Sequence, residues 1–212
     1  MATIESFSSE DLYQRFDLIA RTDKHLTGII NEFGHPPVWI RPNSFETLVL
    51  TILEQQVSLA AAYSAYKRLK EKIKITPKNL LQLSDEELRN CYLSRQKIIY
   101  TRELATAIVR KKISLKSFET KHDDAVRTEL KALKGIGDWT VDIYLLHALR
   151  RLDVFPIGDL ALVNSIKMVK QKPALTKEDL LKMSNKWKPY RSMATMLFWH
   201  YYIKKKNIKI LH

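Results

Sequence analysis

The sequence predicts an all-α protein, and three observations carry that prediction. Apolar residues recur three and four positions apart, capping residues precede most of the apolar runs, and glycine is scarce. There are 5 glycines in 212 residues, about 2 % where about 7 % is usual, too few for the many tight turns of a β fold. No run alternates polar and apolar residues as a half-buried strand does.

The elements follow in chain order. Ser9-Glu10-Asp11 opens a first helix with Leu12, Phe16 and Ile19 on one face. A second runs from Asp23 to Phe33 and stops at Gly34-His35-Pro36-Pro37, where Gly34 reads as a C-cap and the prolines cannot continue a helix. Ser44 caps a third, whose Phe45, Leu48, Val49, Ile52 and Leu53 form a stripe. Ser58 to Lys72 is a fourth. Ser84-Asp85-Glu86-Glu87 is a capping box for a short helix to about Cys91, and Ser94 opens the next, to about Arg110. Asp123 to about Leu133 is helical, Lys134-Gly135-Ile136-Gly137 interrupts, and helix resumes from Asp138 to about Arg150. Pro156-Ile157-Gly158-Asp159 is a further turn, followed by helix from Leu160 to Lys170. Thr176 to Asp179 and then Pro189 open the last two. About ten short helices with short connections make one domain, in which Pro36-Pro37 can separate two helical lobes.

Composition narrows the function. Lys and Arg outnumber Asp and Glu by 36 to 23, a net charge of +13, and the sequence pI is near 9.7. That suits a partner that is a polyanion, and solubility alone would suit it too. The glycines are too dispersed for G-x-G-x-x-G or the Walker A loop. One cysteine, Cys91, excludes an internal disulfide, an iron–sulfur cluster and a cysteine-rich zinc site. The six histidines show no metal-ligand spacing. No secretion signal is visible at Met1 to Glu10, and no apolar run is long enough to span a membrane, so a cytoplasmic protein is expected.

Two turns carry chemistry. In Leu133-Lys134-Gly135-Ile136-Gly137-Asp138-Trp139-Thr140, one helix ends and another starts around two glycines. Glycine permits positive φ and leaves its N–H uncovered, so successive amides can converge on a phosphate oxygen at a helix N-terminus. An ordinary helix–helix connection with a glycine cap fits the same residues. In Pro156-Ile157-Gly158-Asp159-Leu160, Asp159 can be a plain N-cap, or a cap that also presents its carboxylate to a ligand. The basic runs at Lys67 to Lys74, Arg110 to Lys112 and Lys204 to Lys206 are solvated helix ends or phosphate contacts. Cys91 reads as a small core residue.

The pattern L-x-G-I-G-x-W-T over Leu133 to Thr140, with the aspartate of F-P-x-G-D-L 22 residues beyond Gly137, resembles the helix–hairpin–helix (HhH-GPD) DNA glycosylase superfamily. The likeness is to its 3-methyladenine DNA glycosylase II, or alkylbase, branch. Ile52 to Ser58, Ser94 to Lys97, and Trp187 to Ser192 leading to Trp199 fall in family order. The resemblance implies a two-lobed helical fold with a cleft between the lobes and the hairpin at its edge. One lobe would span 38–150, with the hairpin at 133–140, and the other 1–36 and 151–212; the resemblance implies a compact member without the β-rich N-terminal domain of larger relatives.

The resemblance also implies an activity: excision of alkylated bases such as 3-methyladenine from double-stranded DNA in base excision repair, by one chain acting as a monomer. Asp159 matches the catalytic carboxylate. Trp139 stands where bifunctional relatives carry a Schiff-base lysine, and an indole cannot form an imine, so a monofunctional hydrolase is implied. Trp139 and Trp199 would line the base pocket with Ile143 and Tyr144, the isoleucine standing where close relatives have an aromatic residue. DNA contacts fall to Gly135, Gly137, Thr140, Gln55, Gln56 and Arg191, with Gln56, polar where relatives use an apolar wedge, plugging the gap left by the flipped base. The carbonyls of Lys131, Leu133 and Ile136 would hold a Na+ or K+ ion under the hairpin, and no other cofactor, iron–sulfur cluster or zinc is required. The rival functions are a non-catalytic helix–hairpin–helix DNA-binding module and a bifunctional glycosylase/lyase.

Overall fold

A computed structural model describes residues 5–209. They form thirteen α-helices and one 3-10 turn, and the only pairing of strand type among them is an isolated bridge between Ser6 and Arg151. The chain divides into two compact units, 5–40 with 145–209, and 41–144. No helix among the described residues is long and apolar enough to cross a membrane.

The first unit holds α1 (Leu12–Ala20), α2 (Lys24–Phe33), α11 (Leu160–Lys170), α12 (Lys177–Ser184), the 3-10 turn Asn185–Trp187 and α13 (Arg191–Lys205). At its centre is α13, buried at every position from Ser192 to His200; a helix without a polar face must be wrapped on all sides. It packs against α1, α2 and α11. Asp23, the N-cap of α2, ties distant parts of this unit together. Its buried carboxylate accepts from the His25 amide at 3.0 Å, Lys170 at 2.9 Å and Trp187 Nε1 at 3.1 Å, and pairs with Lys186 at 2.6 Å. Burial by itself would raise the Asp23 carboxyl, but these partners outweigh it and hold the group well below the usual carboxylate range.

The second unit holds α3 (Phe45–Glu54), α4 (Leu59–Lys72), α5 (Pro77–Gln82), α6 (Asp85–Asn90), α7 (Arg95–Val109), α8 (Leu115–Phe118) and α9 (Asp123–Lys131). The next helix, α10 (Asp138–His147), is shared: its residues through Tyr144 count with this unit and the last three with the first. Here α3 is buried at Phe45 and throughout Thr47 to Leu53, and packs against α4 and α7. The serines behave as their sequence positions suggest. Ser44, Ser58, Ser84 and Ser94 each accept an amide of the following first turn, and Ser84 with Glu87 completes the capping box.

Differences from the sequence reading lie at short elements and helix ends. Neither α5, α8 nor the 3-10 turn is anticipated, because six residues or fewer hold too little periodicity to register unless a capping box marks them, as it does α6. The α10 helix stops at His147, short of Arg150, which takes the left-handed conformation at φ 55°. Such endings recur without glycine. Tyr92, Lys111, Gln171 and Asn207 are all left-handed, and the amide after each closes a six-residue loop onto its helix: Leu93 to Leu88, Lys112 to Ala107, Lys172 to Lys167 and Ile208 to Ile203. Residues with a Cβ thus stand where glycine is usual, at a conformational cost of about 1 kcal/mol each for Tyr92, Lys111 and Gln171 and less for Asn207.

Candidate active site

Asp159 is placed by its own turn. Its amide donates to the Pro156 carbonyl at 2.8 Å, and its extended backbone starts α11. The carboxylate accepts the Leu162 amide at 2.8 Å, so the capping role is real. A second donor meets the same oxygen: Trp199 Nε1 lies 2.9 Å from Asp159 Oδ1. Asp159 remains half-buried, and beside it Leu160 is 76 % exposed, leaving the helix mouth open on that side.

Trp199 is itself held. Only 8 % exposed, it meets the edge of Trp39 with ring centres 6.5 Å apart and stacks nearly parallel on His147 at 5.5 Å. His147 in turn bonds the Trp39 carbonyl through Nδ1 at 2.6 Å. These four residues all belong to the first unit. The indole therefore anchors the carboxylate through its N–H and is covered by its neighbours. A base-lining role for it would use what remains of its surface. Trp39 and His147 carry no sequence signal for this part, since neither stands in a recognisable motif.

The glycine turn lies in the second unit. Gly135 has φ +86°, and a Cβ there would fall 2.1 to 2.3 Å from the Tyr100 ring, so only glycine fits. Gly137 differs from expectation: its φ is not positive and nothing crowds it. Its use is at the start of α10, where its carbonyl accepts the Val141 amide at 3.1 Å. Ile136 is buried beneath the turn. Among the described residues, the amides of Gly135, Gly137 and Thr140 donate to no backbone carbonyl, as an anion-binding turn requires. Tyr100 is the residue of this turn that sequence reading misses, because an aromatic facing a distant glycine leaves no local pattern.

The remaining predicted residues are distributed as follows. Trp139 is half-buried on the first turn of α10, in the second unit, whereas Asp159 and Trp199 are in the first. Ile143 and Tyr144 are buried in the interior; the Tyr144 hydroxyl donates to Asn43 Oδ1 at 2.5 Å and its ring meets Phe118 edge-on. The Arg191 guanidinium forms a two-pronged pair with Asp153 at 2.7 and 2.8 Å. Gln55 turns inward onto the glycine turn, donating from Nε2 to the Gly135 carbonyl at 2.9 Å and to Thr140 Oγ1 at 2.8 Å. Gln56 is exposed and left-handed at φ 54°. Leu133 accepts the Ile136 amide at 3.2 Å. Cys91 is buried, which pushes its thiol up and away from nucleophilic use. Several of the basic-run cations are paired: Lys70 with Glu46, Lys72 with Glu87 and Lys205 with Glu32.

A model of the HhH-GPD superfamily of base excision DNA repair proteins matches residues 49–189, the stretch that carries the glycine turn and Asp159. The chain belongs to the HhH-GPD superfamily. A Bacillus subtilis protein whose name as a DNA-3-methyladenine glycosylase is provisional is 30 % identical over 82 % of this chain, and a DNA-3-methyladenine glycosylase of the same organism is 31 % identical over 74 %. The chain spans less than two thirds of their lengths, 64 % and 57 %. An alkylbase DNA glycosidase-like protein of Schizosaccharomyces pombe is 28 % identical, over 84 % of this chain and 92 % of its own length. Among solved structures, a 3-methyladenine DNA glycosylase of S. pombe in complex with abasic DNA aligns with a TM-score of 0.82 and 25 % identity, over 91 % of this chain and 97 % of that one. A DNA-3-methyladenine glycosidase from Bacillus halodurans aligns at 0.75 and 28 %, over 96 % and 95 %. Both solved structures thus share the helical fold seen here over nearly their whole length.

Proposed function

We propose that this HhH-GPD chain is a monofunctional DNA glycosylase that removes alkylated purines such as 3-methyladenine from duplex DNA, one chain sufficing. The observation that carries the reading is the Asp159 carboxylate. It stands at a helix mouth with Oδ1 fixed by two N–H donors, and the sequence resemblance matches it to the family's catalytic carboxylate.

The chemistry asks little more of the protein. Alkylation leaves a purine positively charged, so the bond from C1′ to the base nitrogen breaks early and its electron pair leaves with the base. Positive charge then grows on the sugar. A fixed carboxylate stabilises it, and a water oxygen bonds to C1′ as the water gives up a proton to the surrounding solvent. The second carboxylate of most O-glycoside hydrolases is not needed when the leaving group departs this readily. Trp139, an indole in place of a lysine, leaves no imine-forming nitrogen at its position.

The amides of Gly135, Gly137 and Thr140 would bind a DNA phosphate, and exposed Gln56 would occupy the gap left by the extruded nucleotide. The carbonyls of Lys131, Leu133 and Ile136 are neutral oxygen donors of the kind that suits Na+ or K+; Leu133 uses one lone pair on the Ile136 amide and retains its second. A cation there would add positive charge beside the phosphate. The net charge of +13 supplies long-range attraction to the duplex.

Asp159→Asn tests the assignment. Excision from alkylated duplex DNA should fall by about a thousandfold or more while binding of the same duplex persists. Excision at the wild-type rate would overturn it, and no excision by the unaltered chain would favour a DNA-binding module. Borohydride trapping of a covalent DNA adduct would identify a lyase instead.

A further inference from the structure

The C-terminal end of α3 is tied down at three consecutive residues. The Lys97 ammonium donates to the Leu53 carbonyl at 2.5 Å, Arg41 grips Glu54 with two bonds of 2.9 and 2.6 Å, and Gln55 bridges the Gly135 carbonyl and the Thr140 hydroxyl. Burial pushes the Lys97 ammonium down, so this cap is made at the expense of a solvated charge. Immediately afterwards the chain turns through left-handed Gln56, and residues 56–60 are all exposed, Val57 and Leu59 among them. The backbone thus passes from wholly tied to wholly exposed within one residue.

Of these ties, Gln55 makes the one with the longest reach in sequence, 80 and 85 positions. A primary amide has two N–H bonds, and both bonds of Nε2 are made here, one to the glycine turn and one to the first turn of α10. That nitrogen has no donor left for DNA. It holds at fixed distance two features with separate proposed tasks: the turn whose amides would take a phosphate, and the corner that carries Gln56.

We propose that Gln55 is a positioning residue that couples phosphate capture at the glycine turn to insertion of Gln56, so that seating the backbone aims the residue that fills the gap. The inference rests on the glycosylase reading above. In this role Gln55 spans the phosphate-binding turn and the Gln56 corner and reaches the extruded nucleotide only through Gln56.

The test is a double-mutant cycle on the full chain, read as the single-turnover rate of 3-methyladenine excision. Gln55→Met keeps the side-chain volume and removes both donors. It should slow excision about tenfold while affinity for undamaged duplex changes less than about threefold. Gln56→Ala should slow excision similarly, and the double variant should be no slower than the slower single one, because a residue acting through Gln56 has nothing left to position. A purely structural role for Gln55 would make the two losses multiply, and that result, or an unchanged rate for Gln55→Met, overturns the inference. Should Gln55→Met fail to fold, Thr140→Val removes one of the two acceptors and enters the same cycle with the same criteria. Excision by the unaltered chain is measured first. If it is absent, the glycosylase reading falls and this inference with it; if it is present and the losses multiply, this inference falls alone.

Discussion

The indole N–H of Trp199 and the amide of Leu162 converge on one oxygen, Oδ1 of Asp159, at 2.9 and 2.8 Å. The two donors arrive from different helices, α13 and α11. Two bonds to one oxygen define the plane of the carboxylate far better than the cap alone, so the second oxygen is aimed as a consequence of where α13 packs.

Trp199→Phe therefore separates anchoring from stacking. Phenylalanine retains an aromatic face but has no N–H to donate. A hydrogen bond to a charged group is worth about 1.5–3 kcal/mol, so single-turnover excision should fall roughly ten- to a hundredfold with duplex affinity little changed. A variant that weakens binding of a lesion-bearing duplex but leaves the rate intact would assign Trp199 to base contact instead.

Gly135→Ala should damage DNA binding specifically. Its Cβ would sit 2.1 Å from Tyr100 Cγ, and φ +86° is strained for any L side chain. The turn must move, and the amide array moves with it, at a cost of about 1–3 kcal/mol. Fluorescence anisotropy with undamaged duplex should show an affinity loss of about tenfold. Adding Tyr100→Ala should recover part of it by removing the clash and leaving the backbone strain.

Asp23 makes stability depend on acid. Its folded pKa lies below the ordinary 3.8, so its stabilising contribution is complete above the unfolded value and drains away as pH falls through the folded one. Urea unfolding should show wild-type stability flat on Asp23's account from neutrality to about pH 5, then declining below it. Asp23→Asn should cost about 3–5 kcal/mol at pH 7, because Lys170, with a side chain 8 % exposed, loses its carboxylate partner. Below pH 4 the gap between the two proteins should narrow steadily, and it should close only as pH falls through the folded value. Parallel curves down to pH 2 would contradict the assignment.

What sequence alone determined here is whatever is encoded within a few residues. Ser44, Ser58, Ser84, Ser94 and Asp159 announce their helices because a cap acts on an amide three positions away. Gly135 announces a turn because its backbone needs positive φ. Motif spacing carried the family. Tertiary structure decided which partner each polar group takes. Gln55 reaches residues 80 and 85 positions away, and Trp199 reaches one 40 positions away. Arg191, basic and beside a family motif, is held by Asp153, 38 positions distant. Periodicity tells a helix which face to bury, but a single hydrogen bond between helices repeats nowhere in the chain and leaves no pattern to read. Only the packing of α3, α11 and α13 within their own units brings such pairs to bonding distance, and with them the aim of Asp159 and the corner at Gln56.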